Sequence, residues 1–259
     1  MATYKSDHRD IFFNLIDVLN VTEHEHYAFD EASVKEIITE FDKFVENEIY
    51  PTRQSSDVEG VKLTEDGVTV PESLKSLTKN FYDMGWFALG LPENIGGSPV
   101  PEALSTACLS LACAANTGWS MYPALTRGAL NVLRLVGDEY VKSTYIAPIV
   151  AGTWGGTMCL TEPSAGSDVG SLKTTAKPID GKEGWFKIKG TKIFISSGDS
   201  DLYENNIHLV LARTPEGKPG PKGISLFVVP KHRVNADGTV GDKNDVRCSG
   251  IEHKMGIHA

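Results

Sequence analysis

Cys159-Leu160-Thr161-Glu162-Pro163-Ser164-Ala165-Gly166-Ser167-Asp168-Val169-Gly170-Ser171 is the stretch on which the fold turns. It reads as a strand end followed by a tight, polar, glycine-containing turn. Gly166 has no Cβ, so a ligand can approach its backbone closely. Successive N–H groups near Gly166 and Ser167 can form an anion-binding nest, and the Ser167 hydroxyl adds a donor. Thr161 offers one hydroxyl beside an apolar wall. The same residues also fit a structural turn with an Asx or Ser cap. Glu162 and Asp168 share one loop, whereas glycoside hydrolysis needs carboxylates that face each other across a substrate.

Downstream of this stretch the pattern is all strand. Segments 158–161, 173–177, 185–189, 191–196, 208–213 and 223–230 fit strands, with alternation in Phe186, Ile188, Ile193 and Ile195. Asp180-Gly181, Pro215-Glu216-Gly217 and Pro219-Gly220-Pro221 separate them as turns. Strands spaced in this way, with no helices between, predict an antiparallel sheet or small barrel.

Upstream the period is helical. Ile11, Phe12, Leu15, Ile16 and Leu19 share a face over 10–21. Val34, Ile37, Ile38, Phe41, Phe44 and Val45 do so over 31–49, where Ser33 to Glu36 can form a capping box and Pro51 ends the run. Residues 52–70 read as loop. A helix opened by Pro71 carries Leu74, Leu77, Phe81 and Met84 and is capped by Gly85. Segment 102–115 is small or apolar on every side, which predicts a helix buried all round. Two further helices fit 123–136 and 138–151, closed by Gly137 and Gly152. The expected fold class is therefore α+β: an N-terminal all-α helical domain, 1–152, then an antiparallel β-barrel-like domain, 153–259.

Composition excludes several functions. Of 34 acids and 25 bases, residues 1–60 hold 14 acids and 5 bases, so the net charge of −9 belongs to that segment and the remainder is neutral. A chain without net positive charge does not suit nucleic acid along a general basic surface. No apolar run reaches the ~20 residues of a membrane helix, and no signal-peptide core opens the chain. Cys108, Cys113, Cys159 and Cys248 form no C-x-x-C pair and read as free thiols of a reducing, cytoplasmic compartment. His24-Glu25-His26 and His253…His258 lack zinc-ligand spacing, so no metal is expected. The P-loop, the G-x-S-x-G elbow and the G-x-G-x-x-G fingerprint are missing.

The thirteen residues from Cys159 to Ser171 resemble, at every position, the flavin-binding signature of the acyl-CoA dehydrogenase family. Gly190-Thr191-Lys192-Ile193-Phe194-Ile195-Ser196-Ser197-Gly198 is similar to the family's next strand, and Gly223 to Pro230 to a later one. Lys254-Met255-Gly256-Ile257 and the bend Leu91-Pro92-Glu93-Asn94-Ile95-Gly96-Gly97 also resemble family segments. The opening, with Tyr4-Lys5, Arg9-Asp10-Ile11 and Phe13, resembles a long bacterial subgroup that includes 3-methylthiopropanoyl-CoA dehydrogenases, although Asp7 stands where that subgroup has proline.

The resemblance implies FAD as cofactor and α,β-dehydrogenation of an acyl-CoA thioester as reaction. It implies cofactor-binding roles for Met158, Leu160, Thr161, Gly166, Ser167, Phe194, Ile195 and Ser196, with Ser167 also meeting the substrate. Phe194 takes the place of an aromatic, often Trp, that packs on the flavin ring, and Ser196 that of a Thr that bonds it. Glu162 would be structural. The family's catalytic base lies in a C-terminal helical bundle, so no catalytic residue is expected in this chain, and the chain alone is expected to be inactive. An electron-transfer flavoprotein or similar acceptor, a homo-oligomeric full-length form and a place in fatty acid metabolism are implied in the same way. Two alternatives share the loop: an acyl-CoA oxidase, which would release peroxide without an added acceptor, and a non-catalytic flavin-binding or structural relative. Trp119, Met121, Tyr122 and Leu125 are candidates for the wall of an acyl pocket, and Arg127 for an ion-paired or phosphate-binding cation.

Overall fold

The computed structural model describes residues 4–23 and 29–259. His24-Glu25-His26 lies outside the described residues. Helices come first: α1 His8–Phe12, α2 Glu31–Phe44, α3 Thr52–Glu59, α4 Glu72–Asp83, α5 Glu102–Ala115, α6 Thr117–Val136 and α7 Glu139–Val150. A small antiparallel hairpin, β1 Lys62–Leu63 and β2 Val68–Thr69, sits between α3 and α4. Then come β3 Trp154–Cys159, β4 Thr175–Ile179, β5 Lys182–Lys189, β6 Asn205–Arg213, β7 Ile224–Pro230, β8 His232–Val234 and β9 Val240–Lys243.

The helical core follows the predicted faces. Val34, Ile38, Phe41 and Phe44 of α2, Leu74 and Leu77 of α4, Leu104 and Leu111 of α5, and Trp119, Leu130 and Leu133 of α6 are all buried. Each such side chain contributes about 1.5–3 kcal/mol when removed from water. The same cluster extends to Trp154 of β3 and to Ile207 and Leu209 of β6, so the core runs from the helices into the sheet.

The structure corrects several boundaries. The cap of α2 is Asp30, whose carboxylate accepts the Ser33 N–H at 2.8 Å, rather than a box begun by Ser33. Pro51 does not end the helical path, because its own backbone is helical and α3 follows within the segment read as loop. The N-terminal helix widens into a π-type turn, Phe13–Val18, which swings Leu19 out to 51% exposure. Met84 is exposed too, since α4 ends at Asp83. Helix α5 is not buried all round: Leu104, Cys108, Leu111, Ala112 and Ala115 face inward, while Leu109 is 42% exposed. Helix α6 starts earlier than predicted, capped by Asn116 through the Trp119 N–H.

The main sheet has five strands in the order β3-β6-β4-β5, with β7 on the other side of β6's ladder. It is mixed rather than wholly antiparallel, and it does not close into a barrel. Strand β3 pairs β6 in parallel, with Trp154 opposite Asn205 and Cys159 opposite Val210. The β4–β5 and β6–β7 pairs are antiparallel. Parallel neighbours arise because the chain leaves β3, makes the β4–β5 hairpin and returns through the long segment 190–204 before laying down β6. Segment 191–196 is not a strand. Phe194 and Ser197 have φ of 55° and 54°, left-handed conformations that break any ladder.

Candidate functional site

Strand β3 carries Met158 and ends at Cys159, and Leu160 and Thr161 follow directly; Met158 and Leu160 are half-buried. The turn that follows closes on itself. The Glu162 N–H donates to Ala165 O at 2.8 Å and the Ala165 N–H to Glu162 O at 3.1 Å, with Pro163-Ser164 at the tip. Pro163 suits such a tip because its φ is already fixed.

Glu162 anchors the loop from beneath. Its side chain is buried and accepts the Lys173 N–H at 2.6 Å, the Thr174 N–H at 3.0 Å and the Lys192 ammonium at 2.8 Å. Burial alone would raise its pKa. The Lys173 N–H, the Lys192 charge and the Thr174 bonds outweigh burial and hold the carboxyl down at about 2. Lys192 also donates to Leu160 O at 2.9 Å, and the Ile193 N–H to Thr161 O at 2.9 Å. Segment 191–196 therefore lies beside the β3 end without being a strand.

Those bonds bring Thr161 and Phe194 into one neighbourhood. Phe194 is 54% exposed, with the Lys254 ammonium 5.2 Å above its ring. Ile195 is half-buried and Ser196 exposed. Gly166 and Ser167 stand beyond the turn on an exposed lip. Among the described residues, the Thr161, Ser167 and Ser196 hydroxyls and the Gly166 and Ser167 N–H groups have no partner within the chain. At Gly166 a Cβ would meet only Thr161 Cγ2, at 3.8 Å, so the chain's own packing does not demand glycine there. Surface depressions of about 610 and 510 Å³ lie at 178–186 and 51–59, and neither includes one of these residues.

The loop's far side is held by a residue that sequence reading missed. Arg213 at the end of β6 donates to Leu172 O and Gly220 O, both at 3.0 Å, and to Gly170 O. Nothing local marks Arg213 as a support of this loop, because its loop partners Leu172 and Gly170 lie some forty residues away in sequence. Of the acyl-wall candidates, Trp119 and Tyr122 are core, with the Trp119 indole N–H on Thr78 Oγ1 at 3.0 Å. Met121 and Leu125 are half-buried. Arg127 is structural in this fold: its guanidinium donates to Phe87 O at 2.7 Å and ties α6 to the 86–90 turn.

Residues 31–153 match the acyl-CoA dehydrogenase N-terminal domain, and residues 157–259 the acyl-CoA dehydrogenase middle domain. The chain belongs to the acyl-CoA dehydrogenase family. It is 37% identical to the 3-methylmercaptopropionyl-CoA dehydrogenase of Ruegeria pomeroyi over 99% of its own length and 44% of that protein. It is 41% identical to a butyryl-CoA dehydrogenase of Syntrophomonas wolfei over 80% of its length and 34% of that protein. A solved acyl-CoA dehydrogenase of Bacillus anthracis, complexed with FAD, shares the fold with a TM-score of 0.61 at 24% identity, covering 79% of this chain and 31% of that one. The chain thus spans less than half the length of the curated relatives it matches.

Proposed function

We propose that this chain forms the N-terminal and middle portions of an FAD-dependent acyl-CoA dehydrogenase, divided at 152/153. In this reading Met158, Leu160, Thr161, Gly166, Ser167, Phe194, Ile195 and Ser196 hold the flavin, and Ser167 also faces the acyl-CoA. One observation carries it: Phe194 is half exposed and held in a left-handed backbone beside Thr161. Such a conformation costs on the order of 1–3 kcal/mol for a non-glycine residue, and the surrounding bonds must enforce it. An aromatic face presented this way suits a stacked planar ring system. The unengaged donors at Thr161, Gly166, Ser167 and Ser196 suit a reduced ring and a diphosphate, both anionic. Gly166 then has a reason outside the chain's own packing, namely close approach of a ligand to its backbone.

Bound FAD would supply the hydride acceptor for the thioester's β-hydrogen. The chain's own residues would bind, orient and exclude water: Met158 and Leu160 as apolar wall, the hydroxyls and N–H groups as donors. None of them is assigned the α-proton. That carboxylate is proposed to lie in the part of the longer relatives that this chain does not span. The proposal extends to an electron-transfer flavoprotein or similar acceptor, a homo-oligomeric holoenzyme and cytoplasmic fatty acid metabolism, where four free cysteines are at home. No helix among the described residues is long and apolar enough to cross a membrane.

The test is the visible spectrum of FAD titrated into the chain, alone and with a polypeptide supplying the helical bundle of the longer relatives. A bound-flavin spectrum is expected with the bundle present and is expected to weaken in Thr161→Val and Phe194→Ala. Flavin that stays free in the reunited protein refutes the assignment.

A further inference from the structure

Phe194 does not present an empty face. The Lys254 ammonium stands over its ring, 5.2 Å from the centroid. Lys254 belongs to a strap, 245–257, that runs from the sheet to the helices. At the near end the Asn244 N–H donates to Lys231 O at 2.9 Å, and the Asn244 side-chain amide donates to Pro230 O at 3.1 Å, where β7 ends. At the far end, beside α3, His258 O accepts the Val61 N–H at 2.8 Å. The His258 N–H donates to Asp57 Oδ1 at 2.9 Å, and His258 Nδ1 lies 3.1 Å from the same oxygen.

Between those anchors the strap is held lightly. Residues 249–256 are all exposed, Met255 at 98%. Among the described residues, no hydrogen bond ties 249–256 to the sheet or the helices. The bonds from the Ile257 N–H to Lys254 O and from Cys248 Sγ to Gly250 O stay inside the strap. Lys254 itself forms no ion pair among the described residues. Its place over Phe194 is therefore the contact by which this stretch is held to the site. A segment with so few buried groups opens at little cost in free energy.

We propose that Lys254 is the catch of a gate over the flavin's stacking face: in the empty chain its ammonium caps Phe194, and a flavin ring must displace the strap to stack there. The inference rests on the flavin reading above and deepens it with the step by which the ring gains its place. Carbon atoms in contact lie about 3.5–4.0 Å apart, so a flat ring seated on Phe194 beneath a further group needs about 7 Å. At 5.2 Å the ammonium leaves no room for a ring beneath it. A cation suits the cap, because the face of an aromatic ring is its negative pole. An exposed contact of this kind is also weak enough to yield to a stacked ring system.

Closure is read in the flavin-free, 259-residue chain by proton NMR. A side chain held over an aromatic face is shielded by it. The Lys254 ε-methylene protons should resonate upfield of those of the other lysines, and Phe194→Leu should return them to the common position. Displacement is read with riboflavin, followed by its own fluorescence, in the chain reunited with the helical bundle of the longer relatives. Riboflavin carries the ring without phosphates, so it gains nothing from the charge of the ammonium. Lys254→Gln should tighten riboflavin binding about two- to fivefold, the factor that an exposed cation–π contact supplies. Asp57→Ala, which frees the strap at its far anchor, should act in the same direction. The inference is overturned if the Lys254 protons are unshifted in the empty chain, or if riboflavin binds Lys254→Gln no more tightly than the parent. Riboflavin that binds neither protein refutes the flavin reading and the gate together, whereas equal binding to both refutes the gate alone.

Discussion

Glu162 holds a charge where 5% of its surface meets water, and everything around it serves that charge. Two backbone N–H groups from 173–174 and one ammonium from Lys192 converge on its two oxygens. Lys192 is itself only 10% exposed, so removing the carboxylate strands a buried cation. Breaking a buried pair from one side costs about 3–5 kcal/mol. Glu162→Gln should therefore lower stability by about 3 kcal/mol or more at neutral pH, read as a shift of the urea midpoint. A midpoint unmoved by the substitution would mean that Lys192 finds another acceptor. The structural role of Glu162 was readable from the motif. The ligation of Glu162 by Lys192 was not, because the two are thirty residues apart and only the chain path through the β4–β5 hairpin joins them.

Helix and sheet meet closely where β3 crosses α6. The predicted strand begins at 158, yet Gly155 and Gly156 also lie inside β3. A Cβ on Gly156 would sit 2.6 Å from Ala129 Cβ, and one on Gly155 2.3 Å from the Tyr203 ring. The Gly156 N–H also donates to Thr126 Oγ1 on α6 at 3.1 Å. Overpacking a fitted core costs about 1–3 kcal/mol, so Gly156→Ala should destabilise by that amount and loosen β3 against α6. Thermal denaturation together with amide exchange along β3 measures both effects; parent-like exchange would contradict the close approach. Helix faces were legible at this scale because a 3.6 period survives in α2, α4 and α6. Strand pairing was not, since parallel and antiparallel partners present the same alternation. The 191–196 segment was misread because Ile193 and Ile195 alternate even though Phe194 is left-handed.

At the scale of the molecule, the sheet is tied to the β1–β2 hairpin among the helices by polar groups, of which Asp199 is buried. Asp199 Oδ2 accepts the Val68 N–H at 3.2 Å and Oδ1 the Lys231 ammonium at 2.6 Å, while Asp201 accepts the Val70 N–H at 2.9 Å. Close by, His208 of β6 is 5% exposed and bonded through Nδ1 to Thr157 Oγ1 at 2.8 Å. Burial lowers its pKa from 6.5 to about 4; the Lys231 charge acts in the same direction and the Asp199 charge against it. The unfolded chain thus takes up a proton near pH 6.5 that the fold refuses until about pH 4, so stability is whole above 6.5 and falls as pH drops through that interval. Glu162 acts in a separate window: with a folded pKa of about 2 against an ordinary 4.5, its contribution is complete above 4.5 and is lost on the way down to 2. Each shift corresponds to about 3 kcal/mol at most. Acid titration of the urea midpoint should therefore show two successive losses. His208→Gln should flatten the first and leave the second, and Glu162→Gln the reverse. If either variant flattened both, the two groups would be titrating as one coupled unit across β3 rather than as independent supports of the same strand.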